Sequence, residues 1–231
     1  MTSAARLAVF SLSASSPEGD DSRYLRWHAL DHLPQQYTIP ALQLGQRFVS
    51  TPACRAARTA QSERLAPVNH VVSYLFDTAR ASTLDEFFAL RDRLVEVGRF
   101  PEWLPNRLVA GCEVVAQHAS PRALVSADVV PFRPNRGIYL VVEQGGTWSP
   151  DAVDALLALD GVAGMWDFAP TTIESEEISK SGYGVTVVYL DEDPAEVARP
   201  IGELLTTRAP ALAAPFVTLE PWTWDRHAHP G

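Results

Sequence analysis

The chain has 231 residues, of which 46% are hydrophobic and 20% charged, and this balance is typical of a folded globular protein rather than a disordered one. The formal net charge of −9, without any basic run, argues against a nucleic-acid partner. Cys54 and Cys112 are too few for a disulfide framework, and the apolar run after Arg6 is too short for a signal peptide or a membrane span. We therefore expect a cytoplasmic protein with no membrane partner.

The first half of the chain alternates strand-like and helix-like segments. Its predicted strands are residues 6–13, 42–50, 69–78 and 107–118, which are apolar and rich in β-branched residues. A helix is predicted from about residue 18 to about residue 35, where Pro34 ends it. The next helix has the clearest pattern, since Thr83 and Glu86 predict a capping box and Gly98 stands where a left-handed final residue belongs.

The second half repeats this order after a proline-containing stretch, residues 119–135, that we interpret as a linker. Its predicted strands are residues 137–144, 162–168, 182–191 and 216–222. Ser149 and Asp193 each stand before a proline that suits a first helical position, so two helices are predicted to begin there. Pro200 is expected to kink or split the second of them.

Both halves therefore have the order β-α-β-β-α-β, which predicts an α+β fold of two tandem ferredoxin-like units, an N-terminal domain at 1–118 and a C-terminal domain at 136–231. Each unit would have one bare sheet face that must be covered. We expect the two sheets to pack against each other in a dimeric-α+β-barrel-like arrangement within one chain. Pairing through a second chain, which would make a homodimer, satisfies the same requirement.

The first predicted helix carries a cluster of titratable side chains. His28 and His32 are one turn apart and share a face, and Asp31 lies beside them in sequence. A neutral imidazole accepts or donates a proton near pH 7, so the pair suits general acid or base chemistry. The alternative is that both histidines are hydrogen-bonded within the core. A metal site needs three or four ligands, and the spacing of His70 and His118 does not supply them, so no metal is predicted.

Residues 23–50 also resemble the opening of EthD-like proteins of the dimeric α+β barrel superfamily. In that pattern a helix carrying a tryptophan and a His-x-Pro end is followed by a strand with an aromatic residue beside an arginine. The matching positions here are Trp27, His32, Pro34, Arg47 and Phe48. The resemblance covers roughly residues 6–118. It implies a pocket between sheet and helices for a small, often aromatic molecule.

From the residues and the resemblance together, we predict an enzyme or enzyme-like protein that transfers protons on a small hydrophobic, aromatic or polyketide-like molecule without a cofactor. The predicted proton-transfer residues are His28 and His32, with Asp31 as their orienting partner. Arg47 is predicted to bind an enolate or carboxylate. The other predicted substrate-binding residues are Tyr24, Trp27, His70 and Tyr74.

Two alternatives stay open, because fold does not fix function. The first is a non-catalytic ligand-binding or stress-associated barrel, and a pocket lined only by apolar groups, with both histidines held in structural hydrogen bonds, would favour it. The second is haem binding, which requires a histidine facing a cavity large enough for a porphyrin.

Overall fold

The computed structural model describes residues 4–15, 21–101, 106–173 and 182–224. The strands in this part of the chain are β1 (Leu7–Ala14), β2 (Leu42–Val49), β3 (Ala60–Gln61), β4 (Val68–Phe76), β5 (Asn106–Ala119), β6 (Gly137–Gln144), β7 (Val162–Pro170), β8 (Tyr183–Leu190) and β9 (Leu212–Thr218). The α-helices are α1 (Asp21–Trp27), α2 (Leu33–Gln36), α3 (Pro52–Ala56), α4 (Ala81–Glu96), α5 (Pro150–Ala158) and α6 (Pro194–Glu203). A π-helical turn, His28–His32, joins α1 to α2.

The sheet closes on itself. The order of its strands is β2-β4-β1-β5 in the first half and β7-β8-β6-β9 in the second, and all the pairs are antiparallel. Pairing of β5 with β7 joins the halves at one seam, and pairing of β2 with β9 joins them at the other. The predicted fold of two ferredoxin-like units closed within one chain is confirmed.

The closure goes beyond the sequence prediction of two sheets packed face to face, since the sheets also join edge to edge. Edge strands carry unpaired N–H and C=O groups, and the two seams satisfy them. A second chain is not needed to cover either sheet, and the homodimer stays a prediction.

The interior of the barrel holds the largest hydrophobic cluster, to which both halves contribute. Alternate residues of each strand point inward, as Ala8, Phe10 and Leu12 of β1 do. The large aromatic side chains of this cluster are Phe10, Phe48, Trp166, Phe168 and Phe216. The Phe10 and Phe168 rings meet edge to face at 5.0 Å, which is a favoured aromatic geometry.

The helices pack on the outer face of the barrel. Leu7 and Val9 of β1 point outward and join a second cluster under α4, whereas α5 and α6 cover the outward side of the second half. No helix in the described ranges is long and apolar enough to cross a membrane.

Several element boundaries differ from the sequence predictions. Helix α4 begins at Ala81, two residues before the expected cap, so Thr83 is a buried helical residue and not an N-cap. Helix α6 runs through Pro200 to Glu203 without splitting. The last strand begins at Leu212, four residues earlier than predicted, and α3 and β3 lie in a segment where only a connection was expected.

Other local predictions are confirmed. Ser149 accepts a hydrogen bond from the Ala152 amide and Asp193 from the Ala195 amide, so both cap their helices. Gly98 has a φ of +69°, the left-handed conformation that suits a helix end.

The stretch between the two halves is structured, with 3₁₀ turns at Pro121–Ala123 and Ala127–Phe132. Val130 is buried against the barrel interior, and the Ala127 carbonyl accepts a hydrogen bond from the Trp166 indole at 2.8 Å. The division of the chain into domains at 1–118 and 136–231 stays a prediction.

Candidate functional site

A cavity of about 140 Å³ lies outside the barrel, between the sheet of the first half and the helices that cover it. Its polar lining residues include Tyr24, His28, His32, Gln36, Arg47 and Tyr74. Its apolar lining includes Trp27, Val72, Phe87, Phe88 and Phe100. The side chains come from α1, the π-helical turn, α2, β2, β4 and α4, so the cavity is assembled from most of the first half.

The local backbone of the first helix brings its side chains to the sheet. Pro34 does not end the helix as predicted but lies inside α2. Proline has no N–H to bond to the preceding turn and its ring crowds a carbonyl there, and the π-helical turn His28–His32 provides a wider turn directly before it. A side chain at Gly45 would place its Cβ 2.3 Å from Leu33 Cδ1, so glycine allows this close approach of helix and strand.

Arg47 supplies a buried positive charge to the cavity. Its side chain comes from β2 and is only 5% exposed. Nη2 donates to the Tyr24 hydroxyl at 3.0 Å, and the guanidinium lies over the Tyr24 ring at 4.3 Å. Nε and Nη1 are buried without a hydrogen-bond partner among the described residues. Since a buried charge is costly unless it is paired, this arginine is suited to an anionic ligand group.

His28 is buried against the sheet. Its Nε2 lies 2.9 Å from the Tyr74 hydroxyl, in hydrogen-bond contact, whereas its Nδ1 is buried with no partner in the described part of the chain. One ring nitrogen is therefore anchored by β4 and the other is left unsatisfied.

His32 repeats this arrangement one turn later. The Gln36 amide nitrogen lies 3.1 Å from its Nε2, and its Nδ1 has no partner within the described ranges. The imidazole stacks on the Trp27 indole, with ring centres 4.9 Å apart and planes 16° apart. The Phe100 ring meets the imidazole edge-on at 5.4 Å. His32 is thus fixed in orientation by two aromatic rings and one amide.

Both histidines are neutral at physiological pH. Burial, reinforced by the positive charge of Arg47, holds the pKa of His28 well below its ordinary value of 6.5. Burial and then Arg47 lower the pKa of His32 to about 4, although the Asp31 carboxylate acts in the opposite direction. Burial raises the pKa of Tyr74 above its ordinary value, so its phenol stays protonated. Arg47 is therefore the buried charge at this cavity, which Arg91 of α4 also lines.

Two of the predicted site residues lie elsewhere. The Asp31 carboxylate binds Arg99, with oxygen–nitrogen distances of 2.8 and 3.2 Å, and the structure gives it no hydrogen bond to either histidine. The prediction that Asp31 orients the histidines is therefore not supported, because its side chain points to the α4–β5 connection. His70 does not line the cavity either. Its Nε2 lies 3.1 Å from the Asp21 carboxylate, and both side chains are buried.

The structure brings Tyr24, Trp27, His28, His32, Arg47 and Tyr74 together, as the prediction of one site required. Gln36, Phe87 and Phe100 were missed as site residues. Gln36 follows His32 by four residues, so the helical spacing that selected the histidines also pointed to it. Phe87 lies on α4, and no sequence pattern connects Phe87 or Phe100 to the first helix.

The described residues contain no group of three or more histidine, cysteine, aspartate or glutamate side chains placed to hold a metal ion. A hydrophobic cavity of about 150 Å³ binds benzene, so a cavity of about 140 Å³ fits a single aromatic ring. Two histidines line this cavity, but it is smaller than a porphyrin of four pyrrole rings.

Comparisons with known proteins give the fold. No family model matches the chain, and no curated protein does. Among solved structures, a provisionally assigned chlorite dismutase matches with a TM-score of 0.54 and 12% identity over 97% of this chain and 100% of that one. An anthrone oxidase-like protein matches with a TM-score of 0.54 and 11% identity over 93% and 92%.

A mutant chlorite dismutase from Candidatus Nitrospira defluvii, in complex with cyanide, matches with a TM-score of 0.53 and 10% identity over 98% of this chain and 96% of that one. The fold is that of a dimeric α+β barrel. At these identities the likeness concerns the fold alone.

Proposed function

We propose that the protein is an EthD-like enzyme that binds a small aromatic or polyketide-like molecule and moves a proton on it without an organic cofactor. The bound molecule carries an oxygen that is anionic or becomes so during the reaction. His28 and His32 exchange the proton, and Arg47 holds the oxygen.

The observation that carries this proposal is the concentration of unsatisfied polar atoms at one cavity. Arg47, His28, His32 and Gln36 all line it, and each has a buried nitrogen or oxygen without a hydrogen-bond partner among the described residues. Buried polar groups are normally hydrogen-bonded, so such a cluster suits a site completed by a ligand. The aromatic and aliphatic walls would contact the apolar part of that ligand.

The proposed step is proton abstraction from a carbon next to a carbonyl group. The C–H bond breaks, its proton passes to the unpaired Nδ1 of neutral His28, whose Nε2 donates to the Tyr74 hydroxyl, and its electron pair forms the C=C bond of an enolate whose oxygen takes the negative charge. His32 accepts from the Gln36 amide at Nε2, so its Nδ1 carries the hydrogen and donates to the enolate. Arg47 stabilises that oxygen, because its charge is already in place and largely shielded from water. Return of the proton to another carbon completes an isomerisation.

The test is hydrogen–deuterium exchange catalysed by the full-length protein. One-ring enolisable ketones are incubated with protein in D₂O, and label at the carbon next to the carbonyl is followed by mass spectrometry. We expect exchange well above the buffer rate for at least one compound. His32→Ala should lower the rate at least a hundredfold, which is the usual contribution of a general acid or base.

His118→Ala is the matched control, because His118 lies on β5 opposite Met165 and does not line the cavity. It should exchange at the wild-type rate. Circular dichroism must show that both variants are folded. A His32→Ala rate equal to that of wild type would remove His32 from the mechanism. Wild-type rates in both His32→Ala and His28→Gln would rule out proton transfer by this pair.

One observation favours the non-catalytic alternative. A histidine with a pKa of about 4 is a weak base, and a ligand-binding protein needs only that the histidines stay neutral. Under that alternative, one-ring aromatic anions bind and Arg47→Met weakens them, while no compound of the panel exchanges faster than in buffer.

A further inference from the structure

A second cavity of about 310 Å³ lies next to the first, on the outer side of the helices. Tyr24, Trp27 and Phe100 line both cavities, so these three side chains form the wall between them. We call them the aromatic wall. Among the described residues, Arg23, Gly98, Arg99 and Pro101 also line the outer cavity.

The aromatic wall is held in place by contacts between Trp27 and the segment that carries Arg99 and Phe100. The Trp27 indole donates to the Arg99 carbonyl at 2.7 Å, and the Phe100 ring meets the indole edge-on at 5.2 Å. The Arg99 guanidinium is in turn bound by both oxygens of the Asp31 carboxylate. Asp31 therefore connects the first helix to the segment that carries Phe100.

This connection is a weak one. The side chains of Arg99 and Asp31 are 44% and 31% exposed, and ion pairs at such positions contribute little because water and salt screen them. His32, by contrast, is buried and stacks on the half-buried Trp27 indole. Movement of Phe100 would join the outer cavity to the inner one, and His32 would keep its stack on Trp27 and its contact with the Gln36 amide.

We propose that Phe100, positioned by the Asp31–Arg99 ion pair, sets the size of ligand that the inner cavity accepts, limiting the wild-type protein to one aromatic ring. Removing the Phe100 ring joins the two cavities and admits a ligand of two fused rings. Asp31 is thus a positioning residue for the aromatic wall and takes no part in the proton transfer. The inference rests on the proposed function for the anionic group that anchors the ligand at Arg47.

The experiment measures binding of benzoate and 2-naphthoate by isothermal titration calorimetry. These probes carry the same carboxylate on one ring and on two fused rings. Wild-type protein should bind benzoate at least ten times more tightly than 2-naphthoate. Phe100→Ala should bring the two affinities within threefold of each other by strengthening 2-naphthoate binding.

Asp31→Asn, like Phe100→Ala, should strengthen 2-naphthoate binding, by a few-fold. Glu203→Gln is its matched control, since it removes the same charge from another exposed ion pair, that with Arg199 on α6, and it should change neither affinity. Phe100→Tyr keeps the ring and should keep the wild-type preference, which separates the size effect from a general loosening of the fold.

The outcomes separate the two proposals. Benzoate binding with an affinity ratio that Phe100→Ala leaves unchanged overturns the size limit and leaves the proposed anion site standing. Equal binding of both probes to the wild-type protein also overturns it. If neither probe binds the wild-type protein or any variant, the anion site is overturned and this inference with it.

Discussion

The Arg47 guanidinium both stacks over the Tyr24 ring at 4.3 Å and donates to the hydroxyl of the same tyrosine at 3.0 Å. One aromatic side chain therefore supplies a cation–π contact and a hydrogen bond to a buried charge. No acidic side chain is among the residues that line the inner cavity. The charge of Arg47 is thus left to act on the two histidines and on any ligand.

Arg47→Met should raise the pKa of His32 from about 4 toward its ordinary value of 6.5. The pKa stays below 6.5, because burial is the larger cause of the shift and persists in the variant. NMR titration of the imidazole Cε1 protons measures it. Arg199→Met, which removes an exposed charge on α6, should leave the titration unchanged. An unchanged His32 pKa in Arg47→Met would show that Arg47 does not act on this histidine.

The free energy of unfolding should fall as the pH is lowered from about 6.5 to about 4. In this range His32 is protonated in the unfolded chain but neutral in the folded one, so the unfolded state binds more protons and acid favours it. A pKa lowered from 6.5 to about 4 corresponds to a loss of about 3 kcal/mol at pH 4. The lowered pKa of His28 acts in the same direction.

Urea unfolding at pH 7 and pH 4 measures this loss. His32→Gln removes one of the two titrating groups and should lose less stability than wild type over the same interval. Equal losses in the two proteins would contradict the assignment of the shift to His32.

Phe168→Ala should destabilise the protein by about 3–5 kcal/mol, because it leaves a cavity in the barrel interior where the ring meets Phe10. Phe132→Ala is the matched control, since that ring is exposed and should contribute less than about 0.5 kcal/mol. Chemical denaturation of both variants gives the comparison. A cost for Phe168→Ala as small as that of its control would mean that the barrel interior is not the main core.

The two seams of the barrel should differ in hydrogen-exchange protection. Seven residue pairs join β5 to β7, whereas two pairs join β2 to β9. Short pairings open more readily, so the Leu219 amide, which donates to the Arg47 carbonyl, should exchange at least ten times faster than the amides of residues 165–168. NMR-detected exchange under native conditions measures both. If the Leu219 amide exchanged more slowly than those of residues 165–168, the β2–β9 seam would not be the weaker of the two.

Local features of this protein were determined by the sequence itself. The caps at Ser149 and Asp193 and the left-handed Gly98 depend on a few neighbouring residues, and all three are confirmed. The repeated order of strands and helices could also be predicted from the sequence, because side-chain periodicity directly reflects which face of an element is buried. Helical spacing alone placed His28 and His32 side by side, and their ring centres lie 5.7 Å apart.

The partners of those residues were decided only by the tertiary structure. Asp31 lies next to His32 in sequence, yet it binds Arg99, 68 residues away, because the α4–β5 connection passes beside the first helix. Gln36, Phe100 and the two barrel seams likewise depend on how distant segments pack. Hydrophobic periodicity specifies that a face is buried but not what covers it, and the contacts that shape this cavity are long-range.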